Sequence, residues 1–282
     1  MSSKYIILDP KLHDIGDFAM KKIMARYNLK QPLIEKPINH DIAWRPTFLW
    51  KRTAEYLACE VSNRPFPTTI KEQFADIVAS GQPIRIIVAY PKTNGLSSSE
   101  YQKDIKNAKM FGIGYIGIDD LGKGEIEYGG ISLPLHLTSI DLSEYVRSLR
   151  PYITEAYEHY MLKGDPDVGL QKIGQVIESI VYNLAVQAKK SGRFTYTRFR
   201  PPRHIAQSLL IDALMQQQII EVSILARCKS FSLDRNKVSH KPKSKAEAKK
   251  IQVKLKENFI IGTRILQELP GLIVKKGYKM KI

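Results

Sequence analysis

The sequence predicts an α+β protein of two domains, an α/β domain over residues 1–148 and an all-α helical bundle over residues 149–282. The chain has 282 residues, more than the ~100 to 200 of an ordinary single domain. Apolar runs with the spacing of strands occur before residue 150, and after it apolar residues recur at helical spacing. Its apolar fraction of 43% is enough to supply a core to each domain.

The N-terminal domain is predicted to alternate strands and helices. A first helix is expected near Ile15 to Tyr27, which gives an α-β-β-β-α-β order. Strands are expected at Ile42 to Trp50, Ala54 to Val61, Ile84 to Ala89 and Tyr115 to Ile118, with a hairpin over Glu125 to Leu135.

Two capping boxes mark the helices between these strands. In each box a Ser or Thr precedes a Glu by three residues, so that both side chains satisfy amide groups of the first turn. Thr69 with Glu72 predicts a helix that ends near Gly81, and Ser97 with Glu100 predicts one that ends near Gly112.

The C-terminal domain is predicted to be helical throughout. After a helix near Thr154 to Leu162, Asp165 and Pro166 form an N-cap and a first helical proline. The helix they begin has an apolar stripe of Leu170, Ile173, Ile177, Ile180 and Leu184. The next helix is expected to begin past Pro202 and run toward Cys228.

The last long helix has its own start and stop signals. Ser244 and Glu247 form a capping box, and Pro270 with Gly271 is expected to terminate the helix. Together these elements predict a four-helix bundle or a close variant of it.

The formal charge of +16 is concentrated near the C-terminus. From Arg227 onward there are sixteen Lys and Arg against four Asp and Glu, a net +12. Such a field attracts polyanions, so we expect contact with RNA, and charge alone leaves DNA open. The predicted nucleic-acid contacts are Lys237, Lys241, Lys243, Lys245, Lys249 and Lys250. A second basic run comprises Lys189, Lys190, Arg193, Arg198, Arg200 and Arg203.

Several classes of protein do not fit this sequence. No stretch approaches the ~18 to 20 apolar residues of a membrane span, and Asp9 comes too early for a signal-peptide core. Cys59 and Cys228 are far apart, with no Cys/His cluster for a structural zinc. We therefore expect a cytoplasmic protein without a disulfide framework. There is no Walker A loop, so nucleotide-driven activity is not indicated.

The segment Arg-Asn-Lys-Val-Ser-His, residues 235–240, pairs a permanent cation with a titratable imidazole. Arg235 can place two donors on a phosphate, and His240 can take or give a proton near neutrality. Cleavage of RNA without a metal requires both functions. The segment resembles the Arg-x4-6-His signature of HEPN domains, helical bundles many of which are ribonucleases.

This resemblance implies a mechanism and an assembly. The ribose 2′-hydroxyl would attack the adjacent phosphorus, with His240 as general base or acid and Arg235 stabilising the charge on the phosphoryl oxygens. Asn236 would hold the local turn or the phosphate. Family members commonly form the site across a two-fold dimer, and many act in antiviral defence or as toxins. Glu178 can orient the Arg or His, but we expect it to be a solvated helix charge.

The N-terminal domain has a second candidate site. Asp41 opens the first predicted strand and Glu60 nearly ends the second, so both can approach one divalent cation. The pattern resembles the PD-(D/E)xK restriction-endonuclease-like core. This chain departs from the family at Ser62, where the family has the lysine that activates water, and Lys71 is a candidate replacement from the next helix.

The sequence therefore predicts a metal-independent HEPN-type endoribonuclease whose N-terminal domain recognises substrate or regulates cleavage. RNA cleavage would need no cofactor, and a regulatory or antitoxin partner fits the resemblance. Two alternatives stay open at this point. One is a non-catalytic nucleic-acid-binding scaffold, and the other is a metal-dependent DNA nuclease that uses Asp41 and Glu60.

Overall fold

The structure, a computed structural model, describes residues 4–40, 42–92, 95–137, 140–195, 206–237 and 243–282. Within these residues the protein is α+β, with eight α-helices and one mixed six-stranded sheet. The chain divides into two compact units. The first comprises Met1–Leu137, Met161–Asp165 and Lys241–Val253, and the second comprises Thr138–Tyr160, Pro166–His240 and Lys254–Ile282.

The first unit is built around the sheet, whose strands lie in sequence order. Strands β1 to β3 and the pair β5–β6 are antiparallel, whereas β3, β4 and β5 are parallel. The strands are β1 (Leu33–Ile34), β2 (Phe48–Lys51), β3 (Tyr56–Val61), β4 (Ile84–Pro91), β5 (Gly114–Ile118) and β6 (Ile126–Tyr128). The helices are α1 (His13–Tyr27), α2 (Thr68–Ala79) and α3 (Ser98–Met110).

The burial of both faces of β4 explains why the sequence of this strand is apolar at almost every position. Successive side chains of a strand point to opposite faces. Ile86, Val88 and Tyr90 pack into the core on one face of the sheet. Ile87 and Ala89 pack into the core on the other face. Both faces of β4 are thus buried, as is usual for the parallel part of a sheet.

The predicted strand over residues 42–50 is mostly wrong. Only Phe48 to Trp50 belongs to a strand, and the two-residue β1 was not predicted. In the segment before it, the Ile42 amide donates to the Asn39 Oδ1 at 3.0 Å and not to a neighbouring strand. The predicted hairpin over residues 125–135 is also wrong, since β6 pairs with β5 and Leu133–Leu135 is a 3-10 turn.

One of the two capping boxes of this unit is confirmed. The Ser97 Oγ accepts from the Glu100 amide at 3.3 Å, and the Glu100 Oε2 accepts from the Ser97 amide at 3.1 Å. Helix α2 instead begins at Thr68 after Pro67, without a side-chain cap, so the predicted box at Thr69 is wrong. The ends near Gly81 and Gly112 are confirmed, and both glycines have positive φ.

The second unit is helical. It contains α4 (Arg150–Tyr157), α5 (Pro166–Lys190), α6 (Gln207–Gln216), α7 (Val222–Lys237) and most of α8 (Lys245–Lys275), and a π-helical turn, Glu158–Leu162, follows α4. Helix α5 packs against α4, α6 and α7. The whole predicted apolar stripe of α5 is buried, from Leu170 to Leu184, which confirms its direction toward the core.

Two helix boundaries of this unit differ from the prediction. The single helix expected to run toward Cys228 is two helices, because the chain takes a left-handed conformation at Gln218, with φ of 48°, between α6 and α7. Helix α8 passes through Pro270 instead of ending there. Proline removes one helical hydrogen bond, but Leu269 and Ile273 on either side stay buried and hold the helix together.

Along the described ranges, none of the helices combines the length and the apolarity needed to cross a membrane.

Candidate functional site

The Arg235 side chain faces the core of the second unit because of its position on α7. Cys228 and Phe231 precede it at helical spacing on the same face, and both are buried. Arg235 lies in the last turn of that face, and its side chain is only 18% exposed. Asn236, the next residue, is exposed. The helix therefore turns the arginine inward and the asparagine outward.

A carboxylate on α5 holds the Arg235 guanidinium. The Arg235 Nη2 donates to the Glu178 Oε1 at 2.7 Å. Glu178 is itself 36% exposed, so the pair lies at the boundary between core and solvent. The expectation that Glu178 is a solvated helix charge is wrong. The two residues are 57 positions apart in sequence and meet because α5 and α7 pack together.

Gly174 makes room for the arginine. It lies one turn before Glu178 on α5, and a Cβ built on it would be 1.9 Å from the Arg235 Nη1. No side chain fits between them, so the guanidinium lies directly against the α5 backbone. Gly174 and Glu178 were not predicted as site residues. A glycine inside a strong helix, four residues before a carboxylate, is the one sequence signal that pointed to them.

The rest of the predicted motif is only partly described. Lys237 is the last residue of α7, and His240 and Lys241 lie outside the described residues. The structure thus gives the position of the cation of the predicted catalytic pair and not that of the imidazole.

The basic residues at the start of α8 differ in their surroundings. The Glu247 amide donates to the Ser244 Oγ at 3.2 Å, which confirms the Ser244 half of the predicted capping box. The Glu247 Oε2 accepts from the Lys243 amide at 2.7 Å, one residue before the partner that the box predicts. The Lys245 Nζ lies 4.2 Å from the centre of the Tyr56 ring, a cation–π contact. Lys249 and Lys250 are exposed.

The second basic run is described only at its start. Lys189 and Lys190 end α5 and are exposed. The Arg193 Nη1 donates to the carbonyl of Lys276 at 3.3 Å. Arg198, Arg200 and Arg203 lie outside the described residues.

In the first unit, Glu60 near the end of β3 lines a cavity of about 190 Å³ with Arg45 and Ser62. Loss of solvation raises the pKa of Glu60 to about 7, against the opposing effect of the Trp44 Nε1, which donates to its Oε2. A half-buried carboxyl of this kind is partly protonated at neutral pH. Asp41, its predicted metal-binding partner, lies outside the described residues. Lys71 is exposed on α2 and is not among the described residues that line this cavity.

Glu35 also lines this cavity, as does Asp9. Glu35 is 8% exposed, has a left-handed φ of 51°, and accepts from the amides of Ile6, Ile7 and Leu8 at 2.7 to 2.8 Å. Its negative charge is a lesser contribution to the raised pKa of Glu60. Across the residues that the structure describes, no three His, Cys, Asp or Glu side chains are grouped so that they could hold a metal ion.

Comparison with known proteins gives no relative to this chain: no protein-family model matches it, and neither a curated protein nor a solved structure does. Function therefore has to be inferred from the residues of this chain.

Proposed function

We propose that the protein is a metal-independent endoribonuclease in which Arg235, Asn236 and His240 act on one phosphodiester. The observation that supports this most is the fixed position of Arg235. A core-facing guanidinium held by Glu178 and seated against Gly174 is an unusual place for a residue that serves only solubility. It suits a cation that must meet a phosphate in one orientation.

The held arginine keeps capacity for a phosphate. A guanidinium has five N–H donors, and one bond to Glu178 uses a single donor. Because the carboxylate fixes the planar group before substrate binds, little orientational freedom is lost when the phosphate arrives. The carboxylate also reduces the net charge of the site, so Arg235 would act mainly through directed hydrogen bonds.

The reaction needs no metal in this scheme. The ribose 2′-oxygen forms a bond to phosphorus, and the bond from phosphorus to the 5′-oxygen breaks. One proton leaves the 2′-hydroxyl and one is gained by the 5′-oxygen, and His240 takes or gives a proton in these transfers. Arg235 donates to the phosphoryl oxygens on which charge develops, and Asn236 holds the local turn or the phosphate in register. The products carry a 2′,3′-cyclic phosphate and a 5′-hydroxyl.

The N-terminal unit would recognise substrate or regulate cleavage. Among the described residues Glu60 has a raised pKa, and no three His, Cys, Asp or Glu side chains are grouped so that they could hold a metal ion, which gives a divalent cation little to bind. A role in antiviral defence or as a toxin, with a regulatory partner, follows from the resemblance of residues 235–240 to HEPN domains.

Purified protein incubated with RNA and with DNA, each with magnesium or with EDTA, tests the proposal. We expect RNA to be cut in EDTA. Arg235→Lys should lose this activity, because an ammonium cannot reproduce the fork of the guanidinium. Arg227→Lys is the matched control, since Arg227 lies on the same helix as Arg235 and forms an exposed ion pair with Glu268 of α8.

The other outcomes identify the alternatives. DNA cut only with magnesium would assign the activity to Asp41 and Glu60 instead. Binding of nucleic acid without any cutting would make the protein a scaffold. Either result would contradict the proposed function.

A further inference from the structure

A cleft of about 700 Å³ opens in the first unit where α1 ends and β2 leads into the following turn. Lys30, Lys51 and Arg52 line it, and no Asp or Glu is among the described lining residues. We name it the α1–β2 cleft. Three cations around one opening, without a carboxylate in its walls, create a field that favours an anion.

The cleft exists because strand β1 is short. Leu33 pairs with Leu49 in the antiparallel register of β1 and β2. Two residues further, Gln31 would face Lys51, but β1 begins only at Leu33. Gln31 and Lys51 instead line the cleft.

The backbone that supports both lysines is held in place. Asn28 ends α1 in a left-handed conformation with φ of 50°, and its amide bonds to the carbonyl of Met24. The Trp50 Nε1 donates to the carbonyl of Lys30 at 2.9 Å. Lys51 is the last residue of β2 and pairs with Tyr56. Lys30 and Lys51 are both exposed, and neither forms a salt bridge within the described ranges.

The positive charge of Arg52 is only partly neutralised by its ion pair. Its Nη1 lies 2.7 Å from the Glu55 Oε1, and the same carboxylate accepts from Arg85 at 3.2 Å. One carboxylate between two guanidinium groups leaves a net positive charge. The Arg52 guanidinium also lies 5.4 Å from the centre of the Tyr27 ring, and its side chain is 33% exposed. A base can stack on a partly exposed guanidinium of this kind.

Two further cations lie on α1. Lys22 and Arg26, one turn apart, line a separate cavity of about 440 Å³ together with Glu125. Both cations are exposed, and Arg26 directly precedes Tyr27, which lines the α1–β2 cleft. Lys22 and Arg26 therefore add positive charge to the helix that ends at the cleft.

We propose that the α1–β2 cleft binds single-stranded RNA through its backbone phosphates. This rests on the proposed function in one respect, which is that RNA is the substrate. Lys30 and Lys51 contact phosphates, and Arg52 offers a face for a base. Phosphate contacts with few base contacts give binding without sequence preference.

The test uses full-length protein and a fluorescent single-stranded RNA with methylated 2′-hydroxyls, which cannot be cleaved by attack of that group. Binding is measured by anisotropy over a range of salt concentrations for Lys30→Gln with Lys51→Gln. Each phosphate contact contributes about 0.7 to the salt slope for single strands, so the slope should fall by about 1.4 and binding at 0.1 M salt should weaken roughly 25-fold.

Two further variants make the result specific. Lys30→Arg with Lys51→Arg keeps the charge and should keep the slope. Lys103→Gln with Lys106→Gln removes the same charge from exposed positions on α3 and should leave binding unchanged. Equal loss in that control pair, or an unchanged slope in the cleft pair, would overturn the proposal. The proposal would also be overturned if the variant with Lys30→Gln and Lys51→Gln lost binding to an acidic peptide but kept its binding to RNA.

Cleavage of unmodified RNA in EDTA, measured on the same preparations, separates this inference from the proposed function. If the wild type cleaves RNA and the variant with Lys30→Gln and Lys51→Gln binds RNA normally, only the inference about the cleft is contradicted. If that variant loses RNA binding as expected and the wild type does not cleave RNA, the inference about the cleft is supported and the proposed ribonuclease activity is contradicted.

Discussion

Replacement of Gly174 by alanine should abolish most RNA cleavage while leaving the second unit folded. The added Cβ would lie 1.9 Å from the Arg235 Nη1, and real Cβ contacts stay above 3.0 Å, so the nitrogen must move by at least the difference of 1.1 Å. The atom that has to move is at the end of a flexible side chain. The backbone can therefore stay in place, but the bond to Glu178 cannot keep its geometry.

The expected magnitudes separate activity from stability. A displacement of about 1 Å in a group that must meet the reacting atoms costs on the order of 10²-fold in rate. The free energy of unfolding should change little. Alanine in place of glycine inside a helix contributes up to about 1 kcal/mol, and a weakened, partly exposed ion pair costs at most about 1 kcal/mol.

The assay is the rate of RNA cleavage in EDTA beside thermal unfolding followed by circular dichroism. Gly271→Ala is the matched control, because Gly271 also lies inside a helix and a Cβ there has no neighbour within 4 Å. That variant should keep full activity. A Gly174→Ala protein that is folded and cleaves RNA at the wild-type rate would refute the role given to the fixed guanidinium.

The remaining predictions rest on the same assignments. Arg235→Ala and His240→Ala should each remove most cleavage, with little further loss in the double variant, because residues that act as a unit are not additive; full activity of His240→Ala would contradict the pairing. Neutralising Lys243, Lys245, Lys249 and Lys250 together should weaken RNA binding and lower the salt slope by about 0.7 per lost phosphate contact. An unchanged slope would mean that these lysines are only solvated. Asp41→Ala and Glu60→Gln should leave cleavage in EDTA intact. Since the folded pKa of Glu60 is raised from 4.5 to about 7, stability should fall as the pH rises through this range. Glu60→Gln should restore up to about 3 kcal/mol above pH 7 and nothing below pH 4.5, so a pH-independent difference in denaturation would contradict the desolvation. Light scattering should give about twice the 32.2 kDa mass of one chain, and residues from about 150 onward should dimerise alone; a monomer with full activity would refute this.

Periodicity and end signals predicted much of the fold. The α5 stripe, the Ser97 capping box and the strand Ile84 to Ala89 follow from local spacing, and the structure confirms them. Local patterns failed where packing decided the outcome. Helix α8 runs through Pro270 because buried neighbours outweigh one lost hydrogen bond.

The candidate site was predicted only in part for the same reason. Arg235 was found from its motif, since residue types and spacing are local. Its partner Glu178 was expected to be solvated, because only the packing of α5 against α7 brings together residues 57 positions apart. Gly174 matters through the space it leaves, and a sequence does not show which side chain will occupy that space.

The most direct test of the central claim is the chemistry of the cut ends. RNA cleaved in EDTA should carry a 2′,3′-cyclic phosphate and a 5′-hydroxyl, and a substrate with one 2′-deoxyribose at a cleavage position should resist cutting at that bond alone. Arg235→Lys should lose the products, whereas Arg227→Lys should keep them. Cutting at the 2′-deoxy position, or products with a 5′-phosphate, would show that water attacks the phosphorus and would contradict the assignment of Arg235 and His240.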